Sequence, residues 1–120
     1  MAFPLTAHWA GRSIYDIDPA ALARRGIRLL LADLDNTLVP YGVPEPTEQV
    51  REWTAALERH GVTLFVLSNN RHPERPDRFS RALGVSFIGH AGKPKPGSFY
   101  KAMEQMGRTA EETAIVGDQI

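Results

Sequence analysis

Asp33 and Asp35 stand two residues apart at the end of the apolar run Leu29-Leu30-Leu31-Ala32, and Asn36-Thr37 follows them at once. Two carboxylates this close repel each other, so either a cation neutralises them or one of them keeps a proton. Both options serve phosphoryl transfer. With Mg²⁺, a hard ion that works from one or two carboxylates plus substrate phosphate, one Asp can attack phosphorus. The other, when protonated, can donate to the leaving oxygen and later take a proton from water. The plainer alternative is that the pair only caps a turn after a strand, since Asn36 and Thr37 are turn and cap residues.

Three more segments carry suitable groups. Ser68-Asn69-Asn70 follows the apolar run Val62 to Leu67, Lys93 lies in Ala91-Gly92-Lys93-Pro94-Lys95-Pro96, and Gly117-Asp118 follows Thr113 to Val116. Asp118 with Asp33 could hold Mg²⁺. The Ser68 hydroxyl and neighbouring backbone N–H groups could hold phosphate oxygens, and Lys93 could neutralise the phosphoryl charge and the attacking carboxylate. Each has a bland counterpart: a strand-to-loop turn at Ser68, a solvated lysine at Lys93 with Lys95 competing for its role, and a turn and cap at Gly117-Asp118. Their order, each after a successive strand, favours the joint reading.

Strands and helices must alternate to bring these segments together. Asp18-Pro19 predicts an N-cap and first helical residue, with a short helix through Arg25 that Gly26 stops. Ile27 to Ala32 predicts a strand buried on both faces. Val39 to Pro46 predicts a loop, after which Thr47 caps a helix carrying Val50, Trp53 and Leu57 on one face until Gly61. A strand over Val62–Leu67, a helix around Asp77 to Leu83, and a strand over Val85–Ile88 follow. The loop Gly89 to Gly97 then leads to a helix with Phe99, Ala102, Met103 and Met106 in register, and Thr113–Val116 predicts a fourth strand. This alternation implies an α/β fold, a Rossmann-like parallel sheet with helices on both faces. Residues 1–17 have no clear period and could pack as an irregular arm.

The bulk composition is neutral, with 14 basic and 14 acidic residues in 120, so nothing points to a nucleic-acid partner. The chain has no cysteine, which removes thiolate nucleophiles and thiolate zinc sites. His8, His60, His72 and His90 lack paired helical spacing, and His60 before Gly61 reads as a helix C-terminal residue. No apolar run reaches the length of a membrane span, so a cytoplasmic protein is expected, with peripheral membrane attachment as the alternative. Arg71, His72, Arg75, Arg78 and Arg81 form a basic stretch that reads as a solvated face or as a contact for an anionic substrate or acidic lipid.

Taken together, Asp33-Leu34-Asp35-Asn36-Thr37, Ser68, Lys93 and Gly117-Asp118 resemble the four motifs of the haloacid dehalogenase (HAD) superfamily of phosphohydrolases. By that resemblance Asp33 is the nucleophile that forms an aspartyl-phosphate and Asp35 the general acid/base. Mg²⁺ is held by Asp33, the Asp35 main-chain carbonyl and Asp118, while Thr37, Ser68, Asn69 and Lys93 bind the substrate phosphate. The runs Leu34 to Val39, Val66 to Asn70, Gly92-Lys93-Pro94 and Ile115 to Gln119 are similar to the YqeG-type subclass IIIA phosphatases within it.

Eukaryotic organellar relatives of that group dephosphorylate phosphatidylglycerophosphate, so the resemblance implies a lipid phosphomonoester substrate at a membrane surface. The spacing between motifs leaves no room for a substantial cap domain, which suits a bulky substrate. Residues 1–120 are expected to form one HAD-like phosphatase domain, incomplete at the C-terminus because the family's fourth motif continues into a second acid. The alternatives are a phosphatase for soluble phosphosugars or nucleotides, or a non-catalytic phosphate- or partner-binding domain.

Overall fold

The computed structural model describes residues 15, 17–33, 45–68, 74–88 and 95–116. Four helices and four strands alternate within them: α1 (Pro19–Arg24), β1 (Leu29–Asp33), α2 (Glu48–Arg59), β2 (Thr63–Leu67), α3 (Glu74–Leu83), β3 (Ser86–Ile88), α4 (Lys95–Met106) and β4 (Thr113–Val116), with a 3₁₀ turn over Ala110–Glu112 before β4. The strands form one sheet in the order β3-β2-β1-β4, and every pairing is parallel. This is the predicted α/β architecture.

Local chemistry sets the helix ends. The Asp18 carboxylate accepts from the Ala20 amide at 3.0 Å and Pro19 opens α1, while the Thr47 hydroxyl accepts from the Val50 amide at 3.1 Å at the start of α2. α2 ends at the C-cap His60, as predicted, and Gly61 turns the chain with φ +77°. The Val62 amide then reaches back to the Leu57 carbonyl at 2.9 Å, closing the helix with a bond that needs the left-handed residue between.

Two helices begin earlier than predicted. α3 starts at Glu74, not near Asp77, and α4 at Lys95, inside the predicted Gly89–Gly97 loop. Pro76 and Pro96 both fall in the first helical turn. There a missing N–H costs nothing, because those amides have no intrahelical acceptor.

The two sheet faces carry separate cores. Leu30 and Ala32 of β1, Leu64 and Val66 of β2, and Ala114 and Val116 of β4 pack with Leu22 of α1, Val50, Trp53 and Leu57 of α2, and Phe79 of α3. On the opposite face Leu29, Leu31, Phe65, Leu67 and Ile115 pack with Ala102 and Met103 of α4, with Phe99 and Met106 beside them. Leu29 to Ala32 have no exposed surface, as expected of a central parallel strand covered on both sides. The segments between β1 and α2 and between β3 and α4 span only residues 34–47 and 89–94.

Candidate active site

The strand order locates the crevice before any side chain is considered. α2 and α3 carry the chain from β1 to β2 to β3 over one face, whereas α4 carries it over the other face to β4, on the far side of β1. The connections therefore diverge between the carboxyl ends of β1 and β4. Open parallel sheets bind ligands at such a reversal of strand order.

Asp33 is the last residue of β1, and its main chain lies opposite Leu67 in the β1–β2 ladder. Leu67 in turn lies opposite Ile88 of β3, and on the other side Ala32 pairs with Val116, the last residue of β4. The four strands thus end within a residue of one level. Ser68 comes directly after Leu67, and in sequence Gly117-Asp118 comes directly after Val116.

Ser68 is 4% exposed, and its amide donates to the Ile88 carbonyl at 3.0 Å. The Ser68 N–H extends the β2–β3 ladder, so what Ser68 can offer a phosphate is its hydroxyl. Of the other site residues, Asp35, Thr37, Asn69, Lys93 and Asp118 lie outside the described residues, and Lys95 is the first residue of α4.

Among the described residues no group of three or more His, Asp or Glu could hold a metal. The candidate ligand set Asp33, Asp35 and Asp118 lies beyond them except at Asp33. It consists of hard oxygen donors, the kind Mg²⁺ takes; Asp33 ends β1, and in sequence Asp118 comes two residues after the end of β4. Of the basic stretch, Arg78 pairs with Glu45 at 3.4 Å and Arg81 with Asp77 at 2.8 Å, all on an exposed surface. Those two arginines are engaged with carboxylates of the chain itself.

One constellation at this edge was not singled out by the sequence. Tyr15 meets Trp53 edge to face, with ring centroids 5.9 Å apart and planes at 90°, and its hydroxyl is hydrogen-bonded to the Thr47 side chain. The Trp53 indole N–H donates to the Ile17 carbonyl at 3.4 Å, and Ile17 is 2% exposed. Burial pushes the Tyr15 phenol above its ordinary value, and the Thr47 bond partly offsets this. Tyr15 alone, in a stretch without periodicity, gives no signal of this contact.

The family model of the haloacid dehalogenase-like hydrolases matches residues 18–120. The chain belongs to that family. A probable phosphatase of Bacillus subtilis (strain 168), YqeG, is 35% identical to this HAD chain over 109 residues, which cover 91% of this chain and 63% of that protein. This chain therefore spans less than two thirds of that relative.

Solved structures of similar fold include the cobalt-bound deoxy-D-mannose-octulosonate 8-phosphate phosphatase of Haemophilus influenzae, with TM-score 0.66, 22% identity, and coverage of 79% of this chain and 60% of that one. A Moraxella catarrhalis phosphatase for 3-deoxy-D-manno-octulosonate 8-phosphate, solved with magnesium, phosphate and its sugar, gives TM-score 0.62 at 16% identity, covering 82% of this chain and 61% of its own. A putative subfamily III A hydrolase of the HAD superfamily from Legionella pneumophila gives 0.59 at 17% identity, covering 87% and 61%. At these identities the likeness establishes the HAD fold and leaves substrate aside.

Proposed function

We propose that this HAD chain is a magnesium-dependent phosphomonoesterase of the YqeG-type IIIA subclass, working through an aspartyl-phosphate on Asp33. The observation that carries the reading is the strand register: β1 ends at Asp33 between the strand that leads into Ser68 and the strand that leads into Gly117-Asp118. The 35% identity to a probable phosphatase supports it.

In this reading the Asp33 carboxylate attacks phosphorus, and the ester oxygen leaves with a proton from Asp35. Asp35 then takes a proton from water, which attacks the aspartyl-phosphate and releases inorganic phosphate. Thr37, the Ser68 hydroxyl, Asn69 and Lys93 hold the phosphoryl oxygens. Asp33, the Asp35 carbonyl and Asp118 hold Mg²⁺, which when bound screens the charge of the phosphate and of the carboxylates.

The substrate we propose is a lipid phosphomonoester, phosphatidylglycerophosphate, met at a membrane surface. The connections at 34–47 and 89–94 are too short for a substantial cap domain, which suits a bulky substrate. No described helix is long and apolar enough to cross a membrane.

The test is Mg²⁺-dependent phosphate release from phosphatidylglycerophosphate and from soluble phosphosugars and nucleotides, by this chain beside Asp33→Asn and Asp35→Asn. Both variants are expected to lose turnover by at least about three orders of magnitude while keeping the fold. Near-normal turnover in either sinks the mechanism. Release from soluble esters alone sinks the lipid assignment, and no release from any substrate favours a binding domain.

A further inference from the structure

β3 is the shortest strand of the sheet, three residues at its edge with β2 as its strand neighbour, and Ser86, Phe87 and Ile88 are each only half-buried. Edges of this kind open most readily. The Ser68 amide bonds to the last residue of β3, donating to the Ile88 carbonyl at 3.0 Å, so an opening of β3 releases Ser68. Behind β3 stands α3, joined to it through the turn at Gly84, where the Val85 amide closes on the Ser80 carbonyl at 3.0 Å. Arg51 ties the end of α3 to α2. Its guanidinium donates to the Ala82 carbonyl at 3.0 Å, across 31 residues of chain. Ala82 lies in the last turn of α3, where carbonyls lack an intrahelical donor and a cation is favoured by the helix dipole. The nearby pair of Arg78 with Glu45, at 3.4 Å, is exposed on both sides and contributes little.

We propose that Arg51 is a positioning residue: by fastening the end of α3 to α2 it keeps β3 against β2, and so keeps Ser68 where its hydroxyl meets the substrate phosphate. The contacts run from Arg51 to Ala82, through the Gly84 turn into β3, and from Ile88 to Ser68. The catalytic part rests on the phosphatase reading above. The structural part, control of the end of the β2–β3 ladder by a guanidinium on another element, stands apart from it.

The test compares the 120-residue chain with Arg51→Ala, a change at an exposed position that leaves the core intact. Amide hydrogen exchange is followed residue by residue, and kcat/KM is measured with Mg²⁺ and the best of the phosphomonoesters compared above. Exchange at Ser68 and over 86–88 is expected to quicken about three- to tenfold, the worth of one hydrogen bond, with β1 and β4 as in the parent chain. Arg78→Ala, which removes only the exposed ion pair, should leave exchange at Ser68 unchanged. In Arg51→Ala kcat/KM should fall by a similar factor. In a Ser68→Ala background the same change should lower it no further, because the hydroxyl that Arg51 positions is gone.

Unchanged exchange at Ser68 in Arg51→Ala overturns the proposal, as does an equal effect of Arg78→Ala. Equal losses of kcat/KM with and without the Ser68 hydroxyl overturn the positioning role. If the parent chain hydrolyses no phosphomonoester, the phosphatase reading fails by itself. The exchange comparison then still decides whether Arg51 holds β3.

Discussion

The Ser68 amide and the Ile88 carbonyl are 3.0 Å apart, so among the described residues the last hydrogen bond between β2 and β3 and the first hydroxyl beyond β2 belong to the same residue. Ser68 is therefore fixed by its backbone, whatever its side chain holds. Ser68→Ala should leave the β2–β3 ladder in place. In the phosphatase reading, losing a hydrogen bond to a charged phosphate costs about 1.5–3 kcal/mol, or roughly ten- to a hundredfold in kcat/KM. Steady-state kinetics and a melting curve on one preparation separate the two effects; a collapse of the melt with kcat/KM unchanged would make Ser68 purely structural.

Ser80 presents the opposite case. Its hydroxyl lies in α3, the residue is 1% exposed, and the oxygen is buried with no hydrogen-bond partner among the described residues. A buried hydroxyl left unsatisfied costs about 1–3 kcal/mol, and alanine is the better helix former. Ser80→Ala is expected to stabilise the chain by about 1 kcal/mol in urea unfolding. Destabilisation of similar size would mean that the hydroxyl has found a partner.

Phe65 has no exposed surface and sits in the core beneath α4. Phe65→Ala should cost about 3–5 kcal/mol by lost burial and the cavity left behind. Because small domains are stable by only about 5–15 kcal/mol, that is a large share of the total. A shift in the urea midpoint worth less than about 1 kcal/mol would show that α4 collapses onto the sheet readily.

Glu112 gives a pH signature. The Thr109 amide donates to its carboxylate at 3.0 Å, and this bond, with the nearby Arg108, holds the carboxyl below its ordinary value of 4.5. A carboxyl whose folded value lies below its unfolded one stabilises fully above the unfolded value and loses that contribution as pH falls through the folded one. Glu112→Gln should therefore melt below the parent chain at neutral pH, and the gap should close on the acid side of 4.5. A gap constant with pH would assign the effect to shape instead of charge.

Much of this was legible in the sequence, for identifiable reasons. Asp18 and Thr47 announce their helices because their side chains satisfy backbone amides a few residues away. The apolar run into Asp33 announces a central strand because every residue of it must be buried. The starts of α3 and α4 were misread because a proline's effect depends on its place in the first turn, which composition does not specify. The Tyr15–Trp53 contact and the use of the Ser68 amide depend on which elements pack or pair, a tertiary matter. Asp33 was expected to end a strand and does, whereas the neighbours proposed to act with it lie largely outside the described residues.

β1 finds β2 a short way along the chain, but its other neighbour is β4, with Leu29 opposite Thr113. Closing that second pairing encloses all of α2, β2, α3, β3 and α4, and the entropy of so long a loop must be met before the contact returns anything. Pulse-labelled exchange during refolding is expected to protect the β1–β2 amides before those of β4. During synthesis β1 and β2 become available before β4. A nascent chain can then pair β1 with the strand that leads into Ser68 before the strand that leads to Asp118 arrives, and the proposed metal site waits until β4 has docked.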